Sequence, residues 1–475
     1  MKAFLFVKVK ALINGIIIGM NVRDFVPGYN KIVLPWHFMK ATVAGVKYGF
    51  PGKKMTVIGI TGTNGKTSTS FFVWKMLNHA GYKTGLMTTV AWGGVPGMEN
   101  KPGDSGSLKS GADGLHQQTK HMTTVDSMTL NRRMKTIFEA GAEFLVLEVT
   151  SHAMCQFRTL GIPIEVAAMT NVTHEHLDYH KTFENYRSAK VKLFKKAKFG
   201  IINADDKSSP YFSQAVSEGI TYGIEHGQLR ARNIKMSASG VSYDIQGPKI
   251  KRSEKAVGVT DDSDYQVSDF SIETKIPGKF TVYNTLAAVA AGLRLGLTET
   301  QIHDGIYALE SVEGRMNRVD LGQNFSAIVD YAHTPDAFQK VFDSVAPNKN
   351  GRIISLFGGA GRRDETTRDE RGEIAAKYSD ICIITEDDSR DEDPEKIAKM
   401  FLVGCERKGM KLGENVFIEI NRQKAILMAC HMAKKGDIVL VLGKGHEKTI
   451  LRKNGAEPFE DLKETEKAIK KILKK

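Results

Sequence analysis

The stretch MTVIGITGTNGKTSTS, residues 55–70, passes from a buried-strand pattern through a glycine-rich turn into a helical pattern that runs from Thr67 to about Gly81. Strand, glycine turn and helix in that order are the context a phosphate-binding loop needs. Gly62 and Gly65 let backbone N–H groups approach phosphate oxygens with no Cβ in the way. The helix N-terminus adds its partial positive charge. In such a loop Lys66 meets the β- and γ-phosphates and the Thr67 hydroxyl ligates Mg²⁺. Thr63, Asn64 and Ser68 complete the cradle. The spelling departs from strict G-x-x-x-x-G-K-[ST] at one place: Ile60 stands where the first glycine belongs.

The rest of the chain supplies the sheet that such a loop requires. Apolar runs at 144–152 (FLVLEVTSH), 166–172 (VAAMTNV) and 199–206 (FGIINADD) alternate with helical segments. That alternation predicts a mostly parallel sheet covered on both faces. The pattern renews near residue 311, where runs at 325–333, 351–359, 380–388 and 437–445 end in polar or glycine-rich tips. Ligands of open α/β sheets gather at such strand ends. The expected fold class is α/β: a P-loop central domain with a mostly parallel sheet, then a C-terminal Rossmann-like α/β domain. Residues 93–121 read as a long loop, and the polar region 225–275 as short strands or an insertion.

Composition narrows the partners. A length of 475 residues exceeds what one core sustains and suggests about three domains. The net charge of +13 favours an anionic partner: nucleotide, nucleic acid, phosphorylated metabolite or acidic membrane face. Four widely spaced cysteines without a C-x-x-C pair argue against a zinc ribbon or a disulfide framework and fit a reducing cytosol. The lead-in MKAFLFVKVKALINGIIIGM is interrupted by Lys8, Lys10 and Asn14, and no small-residue cleavage site follows it. It therefore reads neither as a membrane span nor as a signal peptide. Two roles stay open for it: a helix packed on the next domain, or an interfacial helix bringing residues 1–25 to a membrane surface.

TGTNGKT is also the loop spelling of the Mur ligase superfamily, and later blocks tighten the likeness. They are LEVTSHAMCQFR (147–158), TNVTHEHLDYH (170–180), YRSAK (186–190), VYNTLAA (282–288), GRMN (314–317), DYAHTPDA (330–337), FGGAGRRD (357–364) and LGKGHE (442–447), in family order. The chain most resembles the MurE-type ligases, which add the third residue of the peptidoglycan stem peptide. The resemblance implies a cytoplasmic, ATP-dependent, ADP-forming ligase that extends UDP-N-acetylmuramoyl-L-alanyl-D-glutamate through an acyl phosphate, with two Mg²⁺ ions. Its partners would be ATP, a muramoyl-peptide acceptor and an amino acid. It divides the chain into 1–53, a shortened N-terminal segment; 54–310, the central ATP-binding domain; and 311–475, the C-terminal amino-acid-binding domain.

Residue by residue, the resemblance assigns Thr67 and Glu148 to one Mg²⁺ and His176 to the second. Lys190 matches a lysine that is carbamylated in the family, which would turn a cation into a metal-binding anion. Lys66, Glu148, His176 and Lys190 thus form the expected catalytic set. Asn284 would meet adenine, and Arg315 and Asp330 would reach ATP from the C-terminal domain. Thr123, Thr124, Ser151, Gln156 and Arg158 match acceptor contacts; Arg363, Asp387, Asp388, Arg390, Gly443 and Glu447 surround the incoming amino acid.

The chain departs from the family pattern twice. Only 54 residues precede the strand that leads into the loop, where the family carries a domain gripping UDP. Either the remaining domains hold the substrate alone, or the acceptor differs and is lipid-linked or folylpolyglutamate-like. Second, diaminopimelate-adding members read D-N-P-R at the amino-acid tip, whereas this chain reads Asp387-Asp388-Ser389-Arg390. The retained arginine suits a bidentate grip on the distal carboxylate of meso-diaminopimelate, and lysine-adding relatives lack it. A nucleic-acid-dependent ATPase would also combine a P-loop with basic charge. No aromatic-basic reading surface or helicase-type motif supports it, so no nucleic-acid partner is expected.

Overall fold

The computed structural model describes residues 29–98, 113–118, 122–237, 240–248, 250, 252–256, 270–363 and 365–474. The lead-in 1–25, with its expected membrane contact, lies outside them, as does much of 99–121. Among the described residues, eleven strands form one sheet. Its middle is parallel: Gly219–Gly223, Ala197–Asn203, Ile164–Met169, Thr56–Thr61, Phe144–Glu148 and Thr84–Met87 lie side by side in that order. Antiparallel pairs finish both flanks, Ala91–Gly93 with Leu115–Gln117 on one and Gly240–Gln246 with Phe270–Thr274 on the other. The polar region after residue 225 therefore extends the main sheet: Leu229–Ser237 pairs in parallel with Gly219–Gly223 and antiparallel with Gly240–Gln246.

The near-continuous apolar spelling of the central strands follows from burial on both faces. Along Thr56–Thr61, Val57 enters one core cluster, while Ile58 and Ile60 enter the opposite one. Neighbouring strands alternate in the same way, Leu145 and Leu147 on the first side and Val146 on the second. The helix Lys66–His79 packs on the second side with Lys279–Arg294.

A six-stranded sheet carries the C-terminal half, in the order Asn317–Val319, Ser326–Asp330, Ile438–Leu442, Ile353–Phe357, Ile381–Ile384, Val416–Ile418. All its pairings but the first are parallel. Inside it Arg422 is fully buried against Asp461, with both Nε and Nη2 donating over 2.7 Å. The same guanidinium donates to the carbonyls of Glu386 and Leu442, which fixes two strand tips relative to each other.

Candidate active site

The carboxyl ends of both sheets face one cavity of about 890 Å³. The nucleotide loop forms its floor. Gly65 has φ 84°, a left-handed conformation that favours glycine, and a Cβ there would strike the Asn284 amide. A Cβ at Gly62 would collide with the Thr170 hydroxyl. Such close approach is what backbone N–H groups need to reach phosphate oxygens. Asn171, at the end of the neighbouring strand, braces the loop from both sides: its Oδ1 accepts from Asn64 N at 3.0 Å and its Nδ2 donates to Asn64 O at 2.9 Å.

Behind the loop, Glu148 ends its strand 1% exposed and accepts from the Thr67 hydroxyl at 3.0 Å and from Thr89 N at 3.0 Å. Lys66 Nζ lies 4.0 Å from Glu148 Oε1 and donates to Thr63 O at 2.7 Å. A hydroxyl beside a carboxylate is the hard-oxygen donor set that Mg²⁺ takes next to phosphate. Lys190, also buried, donates to Gly62 O at 2.5 Å. Burial, followed by repulsion from Lys66, holds its ammonium well below the lysine range.

His176 adopts a left-handed backbone (φ 57°) at the head of Leu177–His180 and lines the cavity. Burial lowers the affinity of its imidazole for a proton, against the attraction of Glu175. Glu175 lies 3.6 Å from His176 and 3.7 Å from His333 of the second sheet. Burial alone would raise the Glu175 pKa, but the two histidines outweigh it and hold it below the carboxylate range. Further contacts join the halves: Asn64 Nδ2 donates to Asp336 at 2.6 Å, and Arg315 Nη2 approaches the Thr67 hydroxyl at 3.5 Å. The Asp330 carboxylate is turned inward, accepting Met316 N and Ala332 N at 2.7 Å each.

The opposite wall is the acidic tip TEDDSRDEDPE, 385–395. Fully buried Lys444 organises it, donating to Glu447 at 2.7 Å, Asp388 at 2.8 Å and Asp387 at 3.4 Å. These carboxylates lie close enough to hold a metal, but the ammonium fills the space among them. Burial would depress the Lys444 pKa; Asp387, Glu447 and Asp388 hold it above the lysine range instead. Asp388 thus has a cation of its own, so the negative charge it brings in place of the family's asparagine is offset. Arg390 has φ 55° and is pinned by Arg390 N to Leu451 O (2.8 Å) and Arg390 Nη1 to Gly361 O (2.9 Å). Its pKa is lowered first by burial and next by the Arg363 guanidinium. Two guanidiniums crowded at one end of a cavity favour an anion between them. The later acids serve elsewhere. Asp391 pairs with Arg362, Glu392 with fully buried Arg368, and Asp393 caps the helix Pro394–Arg407.

Comparison with known proteins decides the family. The profile described as Mur ligase middle domain matches residues 60–292, and that described as Mur ligase, glutamate ligase domain matches residues 314–445. A UDP-N-acetylmuramoyl-L-alanyl-D-glutamate–2,6-diaminopimelate ligase of Clostridium acetobutylicum is 39% identical over 404 residues, 84% of this chain and 75% of that protein. The chain belongs to the Mur ligase family. A ligase of the same name from Clostridium botulinum is 36% identical over 429 residues, 90% of this chain and 80% of that protein. A solved diaminopimelate ligase superposes with a TM-score of 0.57 at 26% identity, covering 88% of this chain and 79% of that one. The fold expected from the sequence, a P-loop sheet followed by a second α/β unit, is the Mur ligase fold seen here.

The Mur ligase cavity gathers most of the residues picked out from the sequence. Thr63 to Ser68, Thr123, Glu148, His176, Asn284, Arg315, Asp330, Arg363, Asp387, Asp388, Arg390, Gly443 and Glu447 all line it. Gly62, Thr124, Ser151, Gln156, Arg158 and Lys190 do not. Gly62 and Lys190 lie behind the loop, joined by their hydrogen bond. Thr124 donates to Glu148 O at 2.9 Å, and Ser151 meets His180 Nε2 at 2.9 Å. Arg158 Nε donates to Gln156 Oε1 at 3.1 Å. Sequence reasoning passed over Asn171, Glu175, His333 and Lys444. Asn171 and Glu175 lie in TNVTHEHLDYH, His333 in DYAHTPDA and Lys444 in LGKGHE, so position in a family block is the sequence signal that marks them.

Proposed function

We propose that this chain joins meso-diaminopimelate to the free carboxylate of UDP-N-acetylmuramoyl-L-alanyl-D-glutamate, consuming ATP and releasing ADP and phosphate in the cytoplasm. The observation that carries the proposal is the shared cavity. A phosphate loop lies on one wall, and a tip with paired guanidiniums and a carboxylate cluster lies on the other. The names of the relatives support the same substrate pair. Residues 54–310 act as the nucleotide half and 311–475 as the amino-acid half, with 1–53 as lead-in.

The chemistry follows from charge. The acceptor carboxylate attacks the γ-phosphorus of ATP, ADP leaves, and an acyl phosphate results. The amine then attacks the carbonyl carbon, loses a proton, and phosphate departs. Little of this needs a covalent role from the protein; it needs positioning and neutralisation. The loop N–H groups and Lys66 hold the phosphates, Asn284 meets the adenine, and Arg315 and Asp330 contact ATP from the second sheet. Two Mg²⁺ ions, held by Thr67, Glu148, His176 and a carbamylated Lys190, would neutralise charge on the phosphates. A lysine with a depressed pKa is neutral enough to capture CO₂, which supports that modification. Thr123, Thr124, Ser151, Gln156 and Arg158 hold the acceptor. Arg390, with Arg363, takes the distal carboxylate of the amino acid, and Glu447, with Asp387 and Gly443, receives its ammonium end.

The test is ADP release from ATP with UDP-N-acetylmuramoyl-L-alanyl-D-glutamate, offering meso-diaminopimelate, lysine or no amine. Turnover that depends on meso-diaminopimelate and exceeds that with lysine is expected. Equal rates with and without an amine would overturn the proposal.

A further inference from the structure

The helix Tyr29–Tyr48 turns two unlike faces outward and inward. Ala41 and Ala44 are buried, and Gly45 lies against the Phe50 ring. At helical spacing on the other side, Trp36 is 58% exposed, Met39 49%, Val43 53% and Val46 67%. Positions separated by three, four and three residues share one helix face, so these four make a continuous apolar stripe. Phe38, itself 48% exposed, packs edge-on against Phe157 at 5.6 Å, which anchors the helix to the central domain.

Charge says what covers the stripe. The helix carries no acidic residue, and Lys40 and Lys47 flank the stripe along one side; Lys40 lies 3.6 Å from Asp126, which leaves Lys47 as the flanking charge without an acidic partner among the described residues. Lys53 and Lys54 are exposed just beyond its end. In residues 1–54, nine Lys and Arg stand against the single Asp24, so this ninth of the chain holds more than half of the net charge of +13. A second copy of the same face, or residues 1–28, which are themselves net basic, would set like charges against each other. An anionic lipid surface would not. An apolar helix face with a tryptophan and flanking lysines is the pattern of a helix lying in a bilayer interface. No described helix is long and apolar enough to cross a membrane.

We propose that this protein docks on anionic membranes through Trp36, Met39, Val43 and Val46, with Lys47, Lys53 and Lys54 over the headgroups. The helix that carries this face is held to Phe157, which lies between Gln156 and Arg158 in the sequence, by Phe38.

The chain reports on this directly. Of its three tryptophans, Trp74 and Trp92 are buried and Trp36 is exposed. The full chain is mixed with vesicles of phosphatidylcholine alone, or of phosphatidylcholine with phosphatidylglycerol. The anionic vesicles should shift Trp36 emission to the blue, shield it from acrylamide and carry the protein into the pellet, and salt should weaken all three. Val43→Glu with Val46→Glu should cut partitioning by about tenfold or more, since burying one valine is worth about that factor. Its soluble-substrate turnover and melting temperature should match those of the parent. Three results would overturn the proposal. One is no blue shift with either vesicle. Another is binding by the double variant equal to the parent's. The third is emission already blue and shielded without vesicles, which marks cover by residues 1–28 or a second copy; deletion of 1–28 and sedimentation velocity separate those two.

Discussion

Removing the Arg390 guanidinium should weaken binding of the amino acid and of nothing else. Its Nη1 is engaged with Gly361 O at 2.9 Å, and the Nε/Nη2 fork has no protein partner among the described residues. A carboxylate gripped by that fork makes two charge-assisted hydrogen bonds. Each is worth about 1.5–3 kcal/mol, and relief of the repulsion with Arg363 returns part of it, so a net loss of about 3 kcal/mol is expected for Arg390→Ala. That corresponds to about a hundredfold rise in the KM for meso-diaminopimelate. Arg390→Lys keeps the charge without the fork and should recover only part. The assay is ADP release at varied amino acid with saturating ATP and acceptor, then at varied ATP. The KM for ATP should stay at the parent value, because Arg390 lies on the tip, across the cavity from the loop. An unchanged KM for meso-diaminopimelate, or a matching rise in that for ATP, would refute the reasoning.

Three other outcomes follow from the same geometry. With ¹³C-bicarbonate, carbon NMR of the parent should show a carbamate resonance that Lys190→Ala lacks; identical spectra would remove carbamylation from the account. Asp461→Ala leaves the Arg422 charge buried without its partner and should cost about 3–5 kcal/mol in urea unfolding, whereas a loss below about 1 kcal/mol would show that the site relaxes or hydrates. Burial holds the His446 imidazole at about 3 against an ordinary 6.5. Between those values the unfolded chain binds a proton that the folded chain refuses, so stability falls as pH drops below about 6.5, at about 1.4 kcal/mol per pH unit for this one group. His446→Asn should make the slope between pH 6.5 and 5 shallower by that amount, and an unaltered slope would refute it.

The nucleotide loop was legible in the sequence because it is local: strand, turn and helix are contiguous, and Gly65 and Lys66 do their work within a few residues of each other. The tip was legible only as position. In TEDDSRDEDPE the cation that offsets Asp387 and Asp388 is Lys444, more than fifty residues away in the chain. Glu392 likewise finds its cation outside the tip, in the buried Arg368 twenty-four residues earlier. The polar stretch after 225 carried too weak an alternation to separate an insertion from strands; pairing with Gly219–Gly223 makes its first strand part of the main sheet. The contact between Glu175 and His333 joins two domains, and no spacing rule within one domain could have found it.

The central claim is that the acceptor carboxylate, activated on the loop, is the atom group the amine attacks. Acceptor labelled with ¹⁸O in its free carboxylate tests it. Transfer through an acyl phosphate puts one ¹⁸O into each phosphate released when meso-diaminopimelate is present, and the tripeptide product loses that oxygen. Phosphate that carries no label while tripeptide forms would contradict the account.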